Sequence, residues 1–273
     1  MRQYSERWRL INDLPATGAW NMAVDEAIMI SVGAGDALPT LRFYDWSPAC
    51  LSLGYGQRSV IVDYDRLEAA KLGIVRRPTG GGAILHIEEV TYSVVLPADH
   101  ELAKGSIVES YRRISAALTA GLSLLGVKIQ ADSPDGVIEQ PAACFETPSH
   151  YEPTVQGKKL IGSAQARKYN AVLQHGSIPL KGDIARIYDV LAYDTGDERE
   201  RAKENLRLRA CTLTDALDGR IKTYQQVAEA LAQGFESVFG ITFEGAGLSK
   251  KEAACAGELS CEKYGQESWT ARR

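Results

Sequence analysis

The sequence predicts an α+β fold. Short strand-like runs crowd positions 40–96 and 127–180, two amphipathic helical patterns interrupt them, and beyond Lys181-Gly182 the character turns to helix. The division this suggests is an α+β body through about Leu180 with a helical C-terminal portion packed upon it.

The elements follow in order. After Thr17-Gly18, Trp20, Ala23, Val24, Ala27 and Ile28 recur at helical spacing, which predicts an amphipathic helix ending near Gly33. Thr40 to Tyr44 and Ala49 to Leu53 read as strands joined by the turn cluster Asp45-Trp46-Ser47-Pro48. Asp63 suits the N-cap of a helix through Leu72, closed by Gly73. Ile74 to Arg77, Ala83 to Ile87 and Val90 to Leu96 read as strands around a glycine run. Val108, Tyr111, Ile114, Leu118, Leu122 and Leu125 then line one face of a long helix over Ser106 to Leu125. Lys158 to Arg167 and Ala171 to Leu180 form a hairpin pair. Helices follow over Asp183 to Leu191, Thr214 to Leu217 and Thr223 to Phe239, with a charged segment from Asp197 to Arg209 among them. Ile241 to Phe243 reads as a late strand and Ser249 to Tyr264 as a final helix.

Composition narrows the function classes. The chain has 273 residues, 31 Lys and Arg against 35 Asp and Glu, and a net charge of −4, which gives no general nucleic-acid footprint. No stretch has the apolar length of a membrane span, and the charged N-terminus lacks the apolar core of a secretory signal, so a cytoplasmic protein is expected. Five scattered cysteines (Cys50, Cys144, Cys211, Cys255, Cys261) include no CxxC pair, so neither a metal site nor a disulfide framework is expected.

Three stretches carry chemistry. In Arg76-Arg77-Pro78-Thr79-Gly80-Gly81-Gly82-Ala83-Ile84-Leu85-His86 the glycines interrupt a strand-like context and let a ligand approach the main chain. A flexible turn accounts for the glycines alone. The arginines favour something anionic or carbonyl-rich, whose identity stays open on these residues. The spacing matches neither the P-loop nor the dinucleotide fingerprint. In Gly157 to Arg167, a strand places Lys159, Ile161, Ser163 and Gln165 on one face, with Gly162 and Ala164 between them leaving room for close approach. Lysine on a small apolar strand is unusual unless paired, but on these residues alone two ordinary solvated charges, Lys158 and Lys159, beside a turn are the better reading. Cys144 stands in apolar Ala142-Ala143-Cys144-Phe145-Glu146; it is an inert core thiol unless a cation such as Lys159 favours its thiolate.

RRPTGGGAILH, GKKLIGSAQAR and LQHGSI, in that order, resemble the biotin/lipoate protein ligase and octanoyltransferase superfamily over roughly Asp36 to Phe243. The resemblance implies a mixed, largely antiparallel sheet flanked by helices, with a catalytic domain at 36–243 and a C-terminal helical extension at 244–273. It places the invariant lysine at Lys159. Acyl-pocket positions fall at Arg76, Gly80, Gly81, Gly82, His86, Gly162, Ser163, Ala164, His175 and Gly176. Cys144, fifteen residues before Lys159, resembles the nucleophile of the cysteine-type bacterial octanoyltransferases.

The activity this implies is transfer of octanoyl from acyl carrier protein, through a cysteine thioester, to a lipoyl-domain lysine. Acceptors of that kind are glycine cleavage H protein and the E2 of 2-oxoacid dehydrogenases. No ATP, metal or other cofactor is expected, nor any nucleic-acid or membrane partner, and a monomer is expected. An ATP-dependent lipoate ligase, an amidotransferase between lipoyl proteins and a non-catalytic acyl-binding paralogue remain as alternatives. His86, His150 and His175 are each open to a structural or a catalytic role. Arg201, Lys203, Arg207 and Arg209, or Arg167 with Lys168, are the candidate basic patches for acidic partners.

Overall fold

The computed structural model describes residues 6–129 and 154–272. Cys144 and His150 lie outside the described residues. The main sheet comprises β1 (Arg7–Asn12), β2 (Thr40–Tyr44), β6 (Glu89–Pro97), β9 (Gly162–Lys168), β10 (Ala171–Pro179) and β11 (Thr242–Gly245). Its order is β11-β1-β2-β6-β10-β9. The two pairings of β1 are parallel and the other three are antiparallel. A three-stranded sheet, β4-β3-β5, uses β3 (Cys50–Leu53), β4 (Gly73–Arg76) and β5 (Ile84–His86). A two-stranded ribbon joins β7 (Thr154–Val155) to β8 (Lys158–Lys159). This is the mixed, largely antiparallel architecture flanked by helices that the resemblance implied.

The helices divide between the two faces of the main sheet. On one face, α3 (Ile107–Leu124) and α6 (Tyr224–Phe239) bury Ile114, Leu118, Leu122, Val227, Leu231 and Phe235 against Trp8, Phe43, Tyr92 and Val94. Capping boxes, Ser106 with Glu109 and Thr223 with Gln226, start both helices by satisfying their first free N–H groups. On the other face lies α1 (Gly18–Gly33), capped by Thr17, covered in turn by α7 (Lys250–Leu259) and the π-helical turn Ser260–Tyr264. Being covered on both sides, α1 buries Asn21, Asp25 and Glu26 along with its apolar residues. The small sheet packs beside it, where Val75 and Cys50 meet the start of α1.

Four segments differ from the sequence expectation. The first is β1, which no sequence pattern announces; it is short, alternates Arg with apolar residues, and is held in the interior of the sheet by β2 and β11. The second is the strand expected over Lys158 to Arg167, which breaks at Leu160-Ile161. There the Lys159 carbonyl leaves the ladder and accepts from the Cys211 amide at 3.0 Å. The third, the charged run Asp197 to Arg209, is a full helix, α4 (Gly196–Arg209), begun by a Thr195–Glu198 capping box and burying only Leu206. The last is the helix expected over Asp183 to Leu191, which tightens to the 3₁₀ segment Ile184–Asp189. The remaining helices are α2 (Tyr64–Ala69), α5 (Leu213–Ala216) and α8 (Glu267–Thr270).

Candidate acyl-binding site

In an antiparallel ladder, directly opposed residues project from the same face. Register therefore sorts the side chains of the main sheet. Arg42, Ser93, His175 and Ala164 are opposed in succession across β2, β6, β10 and β9, and face α1. Gly176 and Ser163 are opposed to each other and to Tyr92, on the α3 face. The site lies on the α1 face, where the small sheet approaches the main one. A small, partly open pocket lies there, lined by Met22, Tyr44, Trp46, Arg77, Ile84, His86, Thr91, Ala164, His175 and Gly176.

Two buried imidazoles from opposite walls meet at this pocket, each held by a carboxylate. His175 Nδ1 lies 3.0 Å from Asp25 Oδ2 on α1, and its Nε2 lies 2.6 Å from Thr79 Oγ1 beside the glycine run. Burial is the largest influence on His175 and pushes its pKa below the ordinary value; Arg77 and His86 add to that, and Asp25 opposes it. The ring is therefore neutral at pH 7, with Nδ1–H donating to Asp25 and Nε2 accepting from the Thr79 hydroxyl. Burial alone would push the Asp25 carboxyl up. The His175 hydrogen bond, the Arg42 guanidinium and Ser93 outweigh it and hold the carboxyl below its usual range. From the small sheet, His86 Nδ1 lies 2.7 Å from Glu89 Oε1 and its Nε2 lies 2.8 Å from Ser52 Oγ. Thr91 and Ser177 both donate to Glu89. Trp46 stacks on His86 at 3.9 Å between centroids and donates to Thr91 Oγ1 at 2.7 Å. The polar groups around the pocket thus hold one another and leave its apolar surface for a ligand.

The two arginines of the glycine motif part company. Arg77 lines the pocket and bends the glycine run around itself, donating to the Gly80 carbonyl at 2.6 Å and the Gly82 carbonyl at 2.7 Å. It also donates to Ser52 Oγ at 3.1 Å. Gly81 sits at φ +88°, where a side chain would be strained. Arg76 points the other way, to the carbonyls of Gly54, Gln57 and Thr270. Of the positions carried by the resemblance, His86, Ala164, His175 and Gly176 line the pocket, and Gly80 and Gly82 reach it through Arg77. Gly162 begins β9, opposite Ser177. Ser163 pairs with the Tyr92 hydroxyl at 2.7 Å on the far face. A Cβ at Gly176 would stand 2.6 Å from Ser163 Oγ and 2.6 Å from Tyr92 Cε1, so the α3 face has no room for a side chain there.

Lys159 is 1% exposed, on β8, three residues before Gly162. Cys144 cannot be placed relative to it, being outside the described residues. Burial pushes the Cys50 thiol well up and the Cys211 thiol up to about 12, and Cys255 is raised for the same reason. None of these three is poised to ionise near neutral pH. Among the described residues no cluster of three or more His, Cys, Asp or Glu side chains is arranged to hold a metal ion. No helix among them is long and apolar enough to cross a membrane.

Sequence reasoning missed Asp25, Thr79, Ser52, Glu89 and Trp46 as parts of this site. Asp25 had a visible signal: an Asp-Glu pair inside the apolar run Met22 to Met29 has to find buried partners. Ser52, Thr79 and Glu89 had none, since ordinary polar residues beside strands gain meaning only when the two sheets meet.

The lipoyl protein ligase A/B catalytic domain matches residues 17–236. An octanoyltransferase LipM from Kyrpidia tusciae is 42% identical, over 98% of this chain and 100% of its own length. Its namesake from Bacillus subtilis is 35% identical over 98% and 99%. A bipartite lipoate protein ligase from Thermoplasma acidophilum, solved in a study of that ligase and its E2 lipoyl domain, superposes with a TM-score of 0.82. It is 27% identical and covers 97% of this chain and 96% of its own. A lipoate-protein ligase A bound with ATP gives a TM-score of 0.79 at 27% identity, covering 97% and 98%. Agreement in sequence and in fold over nearly the whole length leads to one conclusion: the chain belongs to the lipoyl protein ligase A/B catalytic-domain family.

Proposed function

We propose that the chain is an acyltransferase that moves an octanoyl group from octanoyl-acyl carrier protein, through a thioester on Cys144, to a lysine of a lipoyl domain. The acceptor class is that of glycine cleavage H protein and 2-oxoacid dehydrogenase E2. The observation that carries this reading is the 42% identity, over the full length, to an enzyme named octanoyltransferase. The pocket supports it physically: its apolar surface rewards burial of an alkyl chain by roughly 0.8 kcal/mol per methylene, and its polar groups are already satisfied.

The reaction proceeds in two displacements. The Cys144 thiolate, favoured by the Lys159 ammonium, attacks the thioester carbon; the carbon–sulfur bond to the carrier's pantetheine breaks, and the departing sulfur takes a proton from the Lys159 ammonium, so the carrier leaves as its thiol and Lys159 is left neutral. The acceptor amine then attacks the acyl-enzyme, passing its proton to neutral Lys159 as the Cys144 thiolate departs. Backbone N–H groups stabilise each oxyanion, at about 3–4 kcal/mol per donor. Thioester to amide is downhill, so the scheme needs neither ATP nor metal.

Superposition on an ATP-bound ligase favours one second reading, ATP-dependent attachment of free acid. Steady-state transfer to an apo lipoyl domain separates the two. Octanoyl-carrier protein without ATP is expected to support turnover that Cys144→Ser abolishes. Turnover only with free octanoate or lipoate plus ATP, unchanged in Cys144→Ser, would establish the ligase.

A further inference from the structure

The last eight described residues, 265–272, reach back across the molecule to the loop behind the glycine run. Trp269 Nε1 donates to the Arg76 carbonyl at 2.9 Å. The Arg76 guanidinium, fully buried, returns two bonds to the Thr270 carbonyl, from Nε at 3.0 Å and from Nη2 at 2.7 Å. Its Nη1 grips the opposite side, donating to the carbonyls of Gly54 at 2.7 Å and Gln57 at 2.6 Å. Arg272 lies over the rings of Tyr55 (4.0 Å) and Trp269 (3.8 Å) and donates to the Tyr55 carbonyl at 3.2 Å. Residues some 200 positions apart in the chain are therefore tied by charge-assisted bonds that share one guanidinium.

The loop held this way touches the site directly. The Tyr55 amide donates to the Thr79 carbonyl at 2.8 Å. A Cβ at Gly54 would stand 1.9 Å from the Gly81 carbonyl oxygen, so loop and glycine run are in backbone contact. Thr79 in turn holds His175, and Gly80 and Gly82 hold Arg77, both at the pocket. An unbroken chain of contacts thus runs from the C-terminal segment through Arg76 and the 54–57 loop to the pocket wall.

We propose that the C-terminal segment is a positioning element for the reaction: Trp269 and Arg272, acting through Arg76 and the 54–57 loop, set the glycine wall and Arg77 against the bound acyl chain. Neither residue touches substrate. The kinetic arm of this inference rests on the acyl-transfer reading; the structural arm does not. Misplacing a reacting group by about an ångström costs up to ~100-fold in rate. Neither residue belongs to the candidate basic patches, so the loss is expected on kcat and not on KM for the carrier.

The test uses the full chain with Trp269→Ala, Trp269→Phe and Arg272→Ala. It combines amide hydrogen exchange, resolved to peptides spanning 79–83, with steady-state octanoyl transfer. Trp269→Ala and Arg272→Ala are expected to speed exchange at 79–83 by about tenfold or more. The same two variants are expected to lower kcat by about tenfold to a hundredfold at unchanged carrier KM. Trp269→Phe keeps an aromatic face for Arg272 and loses only the N–H bond, so it is expected to recover part of both. Should Trp269→Ala not fold, the other two variants carry the test alone. Exchange at 79–83 matching the parent overturns the inference, as does faster exchange with unchanged kcat. If the parent transfers no octanoyl group at all, the acyl-transfer reading fails, and the exchange result still decides whether the segment holds the glycine wall.

Discussion

Asp25 accepts from Arg42, Ser93, Tyr44 and His175 within 3.0 Å, entirely inside the protein. A carboxylate so surrounded fixes the tautomer of His175 and lets Thr79 be held by the ring's second nitrogen. Asp25→Asn removes one of the two carboxylates paired with Arg42 and leaves it Asp13 alone, and is expected to lower unfolding free energy in urea by about 1–3 kcal/mol. His175 supplies a pH dependence whose sign is set by its depressed pKa. As pH falls below the unfolded value near 6.5, the unfolded chain takes up a proton that the buried ring still refuses. Stability therefore declines towards acid from that point, by up to roughly 1.4 kcal/mol per pH unit, until the folded ring protonates. Urea titrations between pH 7 and 5 are expected to show a shallower decline in His175→Gln than in the parent. An equal slope in both would remove His175 from the account. At the far wall, Gly176→Ala forces a Cβ into Ser163 and Tyr92, and is expected to cost about 1–3 kcal/mol.

Helix α7 shows how elements late in the chain secure those that come first. Arg9 on β1 donates from both terminal nitrogens to Glu252 on α7, at 2.7 and 2.6 Å, and from Nε to Thr40 Oγ1 at 3.0 Å. Burial alone would raise the Glu252 carboxyl, but Arg9 and the Ser249 cap hold it low. Its contribution is thus present above the unfolded carboxylate range and is lost as pH falls through the lowered value. Arg9→Ala leaves Glu252 buried without its main partner, and is expected to cost about 3 kcal/mol at pH 7 and progressively less below pH 4. Equal losses at both pH values would contradict this. The same elements show what the sequence made legible. The helices now called α1, α3 and α6 and the strands β2, β6 and β10 were readable because their apolar residues recur with the period of the element. β1 was not, because its place depends on β11, more than 200 residues away. α4 was not, because a helix polar on all sides has no apolar stripe; its capping box was the one local signal.

At the scale of the whole molecule, the pocket exists only where the two sheets meet, which explains the unequal legibility of its parts. The glycine motif and His86 were visible as a contiguous string, and His175 as part of a second one. The partners that give them meaning, Asp25, Ser52 and Glu89, come from three other elements. Motif reasoning also took Arg76 and Arg77 together, whereas alternation along the strand sends one to the pocket and the other to the C-terminal segment. Charge is the other whole-molecule property. With a net charge of −4, capture of an acidic carrier has to use a local patch, and on α4 Lys203 and Arg207 are already paired with Asp189, Glu200 and Asp183. Reversal at exposed Arg201 (Arg201→Glu) is expected to raise KM for the carrier without altering kcat; an unchanged KM would remove α4 as a docking surface. The central claim is covalent, and mass spectrometry tests it most directly. Intact enzyme exposed to octanoyl-carrier protein without acceptor is expected to gain one octanoyl group, released by hydroxylamine, mapped to the Cys144 peptide and absent from Cys144→Ser. An unmodified enzyme that still transfers octanoate to a lipoyl domain, or an adduct on another residue, would contradict the account.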